Sequence, residues 1–347
     1  MADIRVLHWN IETYGPAKYF NANNANFINY IARIVYTYDV EIFCMVEVKN
    51  STSLLVPPLL AAAINALEGI LPANNPWKVV RANSNFNNEA YIMMYRIDKD
   101  FLPVNTAQAA GPNVVPEHGL GNINVAGAVI QFPSRWTGNG GRRPFYATFE
   151  TNNMAAETFS VISYHAMFGP HTPQGINRLP NLRYITQFHN GTPIDESIIS
   201  GDFNVEFDPA PTGWYGNMLA ITSYATDEAT TLQNNPIGGN DPATFMASAY
   251  DNIFQTVVAM SPAGEVNNLM IDSANVPAPQ PPPPAAQPNV GDYSAEAGAY
   301  NIAALNNYLA RIVTPVVALP PVDMNTSWDF VREAISNHYP VFLEVTI

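Results

Sequence analysis

Short apolar stretches alternate with segments of helical spacing along the first part of the chain. Apolar side chains dominate residues 4–10 and 40–46, and both stretches have the length of a strand. Between them, apolar residues recur at the three- and four-residue spacing of an amphipathic helix, at Phe27, Ile28, Ile31, Ile34 and Val35. The order strand, helix, strand predicts a layered α/β domain.

The same alternation continues along the rest of the chain. Further strands are predicted at residues 90–95, 145–149, 159–164, 197–200 and 341–345, and further helices at residues 178–189 and 295–313. Polar segments rich in glycine and asparagine, at residues 105–127 and 137–141, are typical of surface loops.

Proline and alanine dominate residues 277–288, so this segment cannot join a sheet and is predicted to form an extended surface spacer. A peptide-recognition segment is the alternative. The spacer and the helix after it make an insertion at about residues 267–321. With 347 residues, 47% of them hydrophobic, the chain is predicted to fold as one domain, residues 1–347.

Composition and charge narrow the classes of protein that fit. No stretch approaches the roughly 20 apolar residues of a membrane span, and residues 1–5 lack the basic start of a signal peptide, so we expect a soluble chain. The formal net charge of -14 argues against loose attachment to nucleic acid, but bound divalent cations can reverse the local charge of a site. Cys44 is the single cysteine and lies in an apolar run, which favours a buried side chain over a reactive thiol.

Polar residues that suit metal and acid-base chemistry stand at the ends of predicted strands, where α/β folds commonly build their sites. They are Asn10, Glu47, His165, Asp202, Asn204 and His338. Residues two positions apart in an extended chain point to the same side, so Asp202 and Asn204 are predicted to face one phosphate while Phe203 packs behind them. Taken singly, each residue also has an ordinary structural explanation, such as a turn or a solvated strand end.

The joint occurrence of these residues, in this order and at these spacings, resembles the endonuclease/exonuclease/phosphatase superfamily, and deoxyribonuclease I most closely. The catalytic subunit of cytolethal distending toxin is similar in part. The likeness covers nearly the whole chain except the insertion, and it rests on the segments Trp9-Asn10-Ile11, Tyr30-Ile31-Ala32-Arg33-Ile34-Val35, Tyr38-Asp39-Val40, Glu47-Val48, Glu89-Ala90-Tyr91, Arg142-Arg143-Pro144, His165-Ala166, Gly201-Asp202-Phe203-Asn204, Ala249-Tyr250-Asp251 and Ser336-Asn337-His338-Tyr339-Pro340.

The resemblance implies a deoxyribonuclease I-like, four-layered α/β sandwich, in which two packed mixed β-sheets are flanked by helices and the active site lies at one edge of the sheets. It implies an endonuclease that hydrolyses phosphodiester bonds of DNA with Mg²⁺. Mn²⁺ is the alternative ion, and Ca²⁺ is expected as a structural or second ion. A monomeric bacterial toxin or effector, kept silent by an inhibitor or immunity protein, is the expected setting.

Carried over residue by residue, the resemblance implies two histidine–carboxylate pairs, His165 with Glu89 and His338 with Asp251. Each carboxylate would fix the tautomer of its imidazole and favour the protonated form. One histidine would remove a proton from water, and the other would stabilise or protonate the departing oxygen. Asp202 completes the implied catalytic set by orienting the water.

The resemblance also implies a cation site and a phosphate site. Magnesium prefers carboxylates and retains several of its waters. The planar fork of Arg142 suits a phosphate, and Arg143 is the competing candidate. The implied metal ligands are Glu47, Asn10, Asp202 and Asn337, and the implied phosphate contacts are Asn204, Arg142 and Asn10.

Three positions depart from the family. Asn337 stands where the motif Ser-Asp-His has its aspartate, and the lost charge predicts weaker metal binding or a slower reaction, although an amide oxygen still ligates cations. Phe207 and Ser248 stand where deoxyribonuclease I has its essential cysteine pair. Their presence favours an intracellular role, or export by a route outside an oxidising secretory pathway.

Two other function classes compete with the DNA endonuclease. A phosphatase or lipid phosphodiesterase can be built on the same site, because fold does not choose the substrate. A binding protein with weakened catalysis is the second alternative, and Asn337 motivates it. Lys49 lies where deoxyribonuclease I has a positive side chain against the DNA backbone, which favours DNA as the substrate. Glu12 replaces a positive charge near Asn10, which disfavours DNA.

Overall fold

In the described part of the chain, two six-stranded mixed β-sheets pack face to face. The structure is a computed structural model, and it describes residues 3–20, 24–83, 88–99, 101–103, 123–125, 128–130, 142, 144–151, 158–167, 175–177, 179, 196–208, 215, 223–225, 229–231, 247–255, 263–265, 336–338 and 340–346. The strands are β1 (Asp3–Tyr14), β2 (Ile42–Lys49), β3 (Trp77–Asn83), β4 (Glu89–Arg96), β5 (Phe101–Pro103), β6 (Ile123–Val125), β7 (Ala128–Ile130), β8 (Phe145–Thr151), β9 (Thr158–His165), β10 (Glu196–Asp202), β11 (Ser223–Tyr224), β12 (Asp251–Gln255), β13 (Ala263–Glu265) and β14 (Val341–Thr346). Their order is β13-β14-β1-β2-β4-β3 in the first sheet and β11-β12-β10-β9-β8-β5 in the second, and β6 pairs with β7.

Each sheet contains a parallel pair among its described strands, β1 with β2 and β9 with β10. The neighbours β4 and β12 run in the opposite direction, so their first residues lie beside the last residues of the parallel strands. In register, Glu89 pairs with Lys49 and Asp251 pairs with Asp202. Polar strand ends from both sheets therefore meet at one edge of the sandwich.

Alternating side chains of the second sheet divide the core into two clusters, because successive residues of a strand point to opposite faces. Val161 and Ile198 belong to the core between the sheets. The next residues, Ile162 and Ile199, pack in a second cluster on the other face. Both faces of this sheet are therefore apolar, as expected for a sheet buried between layers.

Helices α1 (Pro16–Tyr19), α2 (Asn24–Thr37) and α3 (Val56–Glu68) follow the strands of the first sheet. Helices α2 and α3 contact each other, and their apolar residues share the core of that sheet. Prolines fit the start of α3, where the first N–H groups lack partners in any helix, and Gly69 ends the helix with a φ of 71°. None of the described helices is long and apolar enough to cross a membrane.

The predicted fold class is confirmed, and the predicted strands correspond to β1, β2, β4, β8, β9, β10 and β14. Two predicted strand ends were wrong, since β1 continues past Asn10 to Tyr14 and β2 continues past Glu47 to Lys49. Part of the predicted loop at 105–127 is strand β6, and α3 and β3 were not predicted. Several predicted segments lie outside the described residues. They are the helix at 178–189 apart from Leu179, the helix at 295–313, the loop at 137–141, and the insertion at 267–321 with its proline-rich spacer.

Aromatic rings surround Phe207, one of the two residues that stand where the resemblance implied cysteines. Phe207 packs against Tyr215, Tyr224 and Phe254, with ring centroids 5.1, 4.7 and 5.6 Å away. These rings belong to the outer cluster of the second sheet. Apolar contacts between aromatic rings thus stabilise the position at which the resemblance implied a missing disulfide.

Gly201→Ala is expected to destabilise the protein by about 2 kcal/mol or more, as overpacking of a filled core does. A Cβ at Gly201 would lie 2.1 Å from the carbonyl oxygen of Tyr164 on the neighbouring strand. Gly69→Ala is the matched control, because its Cβ would meet nothing within 4 Å and only its positive φ is strained, so a loss of about 1 kcal/mol is expected. Urea unfolding measures both losses. Equal stability of the two variants would contradict the tight contact between β9 and β10.

Candidate active site

The site lies at the edge where β1 and β2 meet β9, β10 and β12. Strand β2 changes register with both of its neighbours at this edge. Its pairing with β1 shifts between residues 10 and 14 of β1, and its pairing with β4 shifts between residues 45 and 48 of β2. Within these irregular stretches Glu12, Thr13 and Glu47 have positive φ values of 39°, 50° and 62°. Such irregularities re-aim side chains, and backbone strain of this kind concentrates at functional sites.

Asn10 links two carboxylates that come from different sheets. Its Nδ2 donates to Glu47 Oε1 at 3.1 Å and to Asp202 Oδ2 at 2.8 Å. Its Oδ1 accepts the backbone N–H of Glu12 at 2.9 Å. The side chains of Asn10 and Asp202 are buried. The amide group therefore holds two negative groups close together that would otherwise repel each other.

Glu47 is held from the other side by Thr13, whose N–H and Oγ1 donate to Oε2 at 3.0 and 3.2 Å. His165 Nε2 lies 3.5 Å from Glu47 Oε1. Burial alone would raise the pKa of Glu47, but the nearby histidine charges, the hydrogen bond from Asn10 and the charge of Arg142 lower it to about 2. Glu47 is therefore ionised at neutral pH.

His165 stands between carboxylates at the end of β9. Its Nδ1 lies 3.5 Å from Glu89 Oε2, and its Nε2 lies 3.4 Å from Asp202 Oδ2. Glu89 also accepts a hydrogen bond from Arg142 Nη2 at 3.1 Å, and Lys49 Nζ lies 3.4 Å from its other oxygen. Burial would raise the pKa of Glu89, but its contacts with His165 and Arg142 lower it. Glu89 thus faces three basic side chains, those of His165, Arg142 and Lys49.

His338 and Asp251 form the shorter pair. His338 Nδ1 lies 2.7 Å from Asp251 Oδ2, which also accepts the Thr230 hydroxyl at 2.9 Å. This contact leaves His338 Nε2 facing the site, 3.9 Å from Asp202 Oδ2. Burial would lower the pKa of His338, but the Asp251 and Asp202 carboxylates raise it to about 10. Burial would raise the pKa of Asp251, but His338 lowers it.

The segment that carries His338 is fixed against β1 by three hydrogen bonds. Ser336 Oγ donates to the carbonyl of Asn10 at 2.6 Å and accepts the N–H of His338 at 3.1 Å. Trp9 Nε1 donates to the carbonyl of His338 at 2.9 Å. The position of His338 is therefore set by the same strand that carries Asn10.

Asn204 departs from its predicted geometry. Strand β10 ends at Asp202 and Asn204 has a φ of 50°, so the prediction of an extended chain through both residues was wrong. A turn forms instead, in which the N–H of Asn204 donates to Asp202 Oδ1 at 2.9 Å. Asn204 Nδ2 donates to the carbonyl of Ala166 at 2.9 Å, while Phe203 is buried in the outer cluster.

Arg142 is buried within the site, with 9% of its surface exposed. Its Nη1 donates to the carbonyl of Ala166 at 2.9 Å, and its Nη2 donates to Glu89. The guanidinium group thus lies against the carboxylate that faces His165. Arg143, the competing candidate, falls outside the described residues.

Solved structures share this architecture over nearly their whole length. An endonuclease/exonuclease/phosphatase from Bacteroides vulgatus is 15% identical, covers 100% of both chains and has a TM-score of 0.51. The fold is that of the endonuclease/exonuclease/phosphatase proteins. A mannosyl-6-phosphatase from Bacteroides thetaiotaomicron is 14% identical over 99% of this chain and 100% of that one, with a TM-score of 0.52. The human nocturnin catalytic domain with bound sulfate is 14% identical over 99% of this chain and 93% of that one, with a TM-score of 0.50.

No protein-family model matches the sequence. No curated protein matches it either. At identities of 14 and 15%, the likeness to endonuclease/exonuclease/phosphatase structures shows the fold, and the chemistry must be argued from the site itself.

Donor atoms at the centre of the site are close enough to hold a cation. Ligand atoms of Glu47, His165 and Asp202 all lie within 4.8 Å of one another. The same holds for ligand atoms of Asp202, Asp251 and His338. Asp202 belongs to both groups, so it is the carboxylate around which a cation site on this endonuclease/exonuclease/phosphatase fold would form.

Two amides of the predicted ligand set differ in their orientation. Asn10 presents Nδ2 to Glu47 and Asp202, so its side-chain amide would have to rotate by half a turn before Oδ1 faced a cation. The orientation of an asparagine amide depends on the hydrogen bonds around it, and a bound cation would change them. Asn337 donates its N–H to Glu12 Oε2 at 3.2 Å. Its Oδ1 is buried and has no hydrogen-bond partner among the described residues. A buried acceptor without a donor suits a cation ligand, so these residues fit a divalent ion.

The hydroxyl groups that hold the site were not predicted from the sequence. Tyr91 OH accepts the backbone N–H of His165 at 3.1 Å, and Ser336 ties His338 to β1. Both Tyr91 and Ser336 stand inside segments that carry the resemblance, so the sequence did contain a signal that could have identified them. Thr230 stands in no pattern, and its contact with Asp251 became visible only in the fold.

Asn337→Asp is expected to have opposite effects on thermal stability without and with Mg²⁺. Without the ion, a new carboxylate beside Glu12 lowers Tm, because a buried charge without a partner is costly. With the ion, the added negative ligand tightens binding, and Tm rises more steeply with Mg²⁺ than in the unsubstituted chain. Thermal unfolding in EDTA and across a Mg²⁺ titration measures both effects. The control Asn337→Leu should lose Mg²⁺-dependent stabilisation, and identical Mg²⁺ responses in all three proteins would remove Asn337 from the ligand set.

Proposed function

We propose that this chain is a magnesium-dependent phosphodiesterase and that it acts as an endonuclease on DNA. The supporting observation is the position of Asp202, whose Oδ2 lies 3.4 Å from His165 Nε2 and 3.9 Å from His338 Nε2. Two imidazoles from different parts of the chain face one centre, and the Nδ1 of each faces a buried carboxylate. A pair of oriented acid-base groups around one acidic centre suits phosphoester hydrolysis.

The proton chemistry follows from the two pairs. Asp251 holds the Nδ1 of His338 at 2.7 Å, and Glu89 faces the Nδ1 of His165 at the longer distance of 3.5 Å. The Nε2 atoms of both rings are left to exchange protons at the centre. One Nε2 takes a proton from the water that attacks phosphorus, and the other stabilises or protonates the departing oxygen. Asp202 orients the water, because it is the carboxylate that both Nε2 atoms approach.

Glu47 and Asp202 are the proposed holders of Mg²⁺, with Asn337 and a turned Asn10 as further oxygen ligands. When bound, the ion supplies neutralisation of charge on phosphoryl oxygens. Mn²⁺ is the proposed substitute ion, and Ca²⁺ is proposed as a structural or second ion. Asn204 and Arg142 remain the proposed phosphate contacts, together with Asn10.

A phosphatase is the second candidate, and the placement of charged residues favours it. Lys49 Nζ lies 3.4 Å from Glu89, and the Glu12 carboxylate accepts the N–H of Asn337. Both residues therefore serve contacts within the site, and a long polyanion gains little from them. The fold also supports a mannosyl-6-phosphatase in Bacteroides thetaiotaomicron.

The remaining expectations from the resemblance stay predictions. They are a toxin or effector role, an inhibitor or immunity protein, a monomeric state, and an intracellular location or export outside the oxidising pathway. A lipid phosphodiesterase also stays an alternative. A binding protein with weakened catalysis is disfavoured, because both histidine–carboxylate pairs are in contact.

Supercoiled plasmid is expected to be nicked in Mg²⁺ and to stay intact when EDTA removes the ion. The expectation follows from the paired imidazoles and from the carboxylates that surround Asp202. Agarose gels measure the relaxed product, and a panel of phosphomonoesters assayed for released phosphate runs in parallel. Phosphate release from monoesters with intact plasmid would favour the phosphatase. Inactivity on both substrate classes would overturn the proposed hydrolase.

His165→Ala and His338→Ala are each expected to lower the hydrolysis rate by about 100-fold or more, because each removes an acid-base group. The double variant should lose little beyond the single ones, since the two histidines act in one step. Initial rates measure the effect, and circular dichroism checks that each variant is folded. Rates like that of the unsubstituted chain in both single variants would contradict the mechanism.

A further inference from the structure

Asp251 has a second histidine beside it, on the side away from His338. His8 lies on β1 in the layer between the two sheets, and its side chain is 0% exposed. Its Nε2 lies 3.4 Å from Asp251 Oδ1. Neither ring nitrogen of His8 has a hydrogen-bond partner in the described part of the chain, and Asp251 Oδ1 has none there either. His8 Nε2 and Asp251 Oδ1 are therefore two buried polar atoms, each without a hydrogen bond, that lie within 3.4 Å of each other.

The two oxygens of Asp251 face different groups. Oδ2 accepts the Thr230 hydroxyl and meets His338 Nδ1 at 2.7 Å, whereas Oδ1 faces His8. Rotation of this carboxylate about its last bond would move Oδ2 away from His338. A donor on Oδ1 restrains that rotation, because each oxygen then has its own partner.

The simpler explanation is that His8 only fills space in the core. The free-energy cost of burying its polar ring nitrogens argues against this explanation. A buried polar group without a partner destabilises a protein by about 1–3 kcal/mol, which an apolar side chain of similar size avoids. The layer between the sheets also holds other polar groups. Among them are Ser163 and Ser200, whose hydroxyls lie against the Cys44 thiol. His8 differs from these serines in that its ring reaches Asp251.

We propose that His8 is a positioning residue for the pair of Asp251 and His338. In this role the Nε2–H of His8 donates to Asp251 Oδ1, which keeps Oδ2 against His338 Nδ1. His338 Nε2 then stays aimed at the centre of the site. This role rests on the proposed function, because it assigns His8 to the same proton transfer, but His8 itself touches no reacting atom.

The test compares His8→Leu, which removes the donor, with His8→Gln, whose side-chain amide restores an N–H. Ser163→Ala is the matched control, because it alters the same layer between the sheets and leaves Asp251 alone. Loss of a supporting contact of this kind typically lowers activity by about 10- to 100-fold. We expect such a fall in kcat with KM unchanged for His8→Leu, recovery of most of kcat in His8→Gln, and no change in Ser163→Ala.

Proton and nitrogen NMR of the histidine rings provides a readout that needs no substrate. The His338 Hδ1 resonance should move or broaden in His8→Leu and be retained in His8→Gln and Ser163→Ala. Equal losses of kcat in both His8 variants with an unmoved His338 signal would reduce His8 to a packing residue. A moved signal without hydrolysis in any protein would retain the positioning role and overturn the proposed function.

Discussion

Burial of carboxylates at one edge of the sandwich is the constraint on which the rest of the site depends. An ionised carboxylate withdrawn from water costs several kcal/mol unless donors or cations compensate it. Every such group in the described site has a compensating partner: the Asn10 amide lies between two of them, and Arg142 holds a third. The compensated groups are Glu47, Glu89, Asp202 and Asp251.

These compensating contacts come from both sheets, so the site is complete only when the two sheets are packed together. Asn10 on the first sheet donates to Asp202 on the second, and His8 on the first approaches Asp251 on the second. A loss of contact between the sheets would leave buried charges without partners. The interactions that stabilise the edge also orient the imidazoles, which explains why residues remote from the reacting atoms, such as Ser336, matter to the chemistry.

The sequence predicted seven of the fourteen described strands, and it placed His165 and Asp202 correctly at strand ends. Both features are local patterns, in which an apolar run is followed by a polar side chain. The sequence did not predict the bulges that aim Glu47, because a register shift depends on the partner strand. Helix α3 was missed since two prolines at its start look like a break, although the first turn of a helix accepts them. The contacts of Thr230 and His8 with Asp251 join segments far apart in the chain, and no local pattern reports them.

The balance of charge at the centre bears on the choice of substrate. Carboxylates outnumber the fixed cations there, and Arg142 and Lys49 are already close to Glu89. A phosphodiester brings one negative charge into this setting, whereas a monoester dianion brings two and is repelled more strongly at the same distance. The carboxylates alone therefore disfavour a monoester more than a diester, and a divalent ion held among them would offset this difference by cancelling their charge. The flanking Glu12 and Lys49 offer little to a long polyanion.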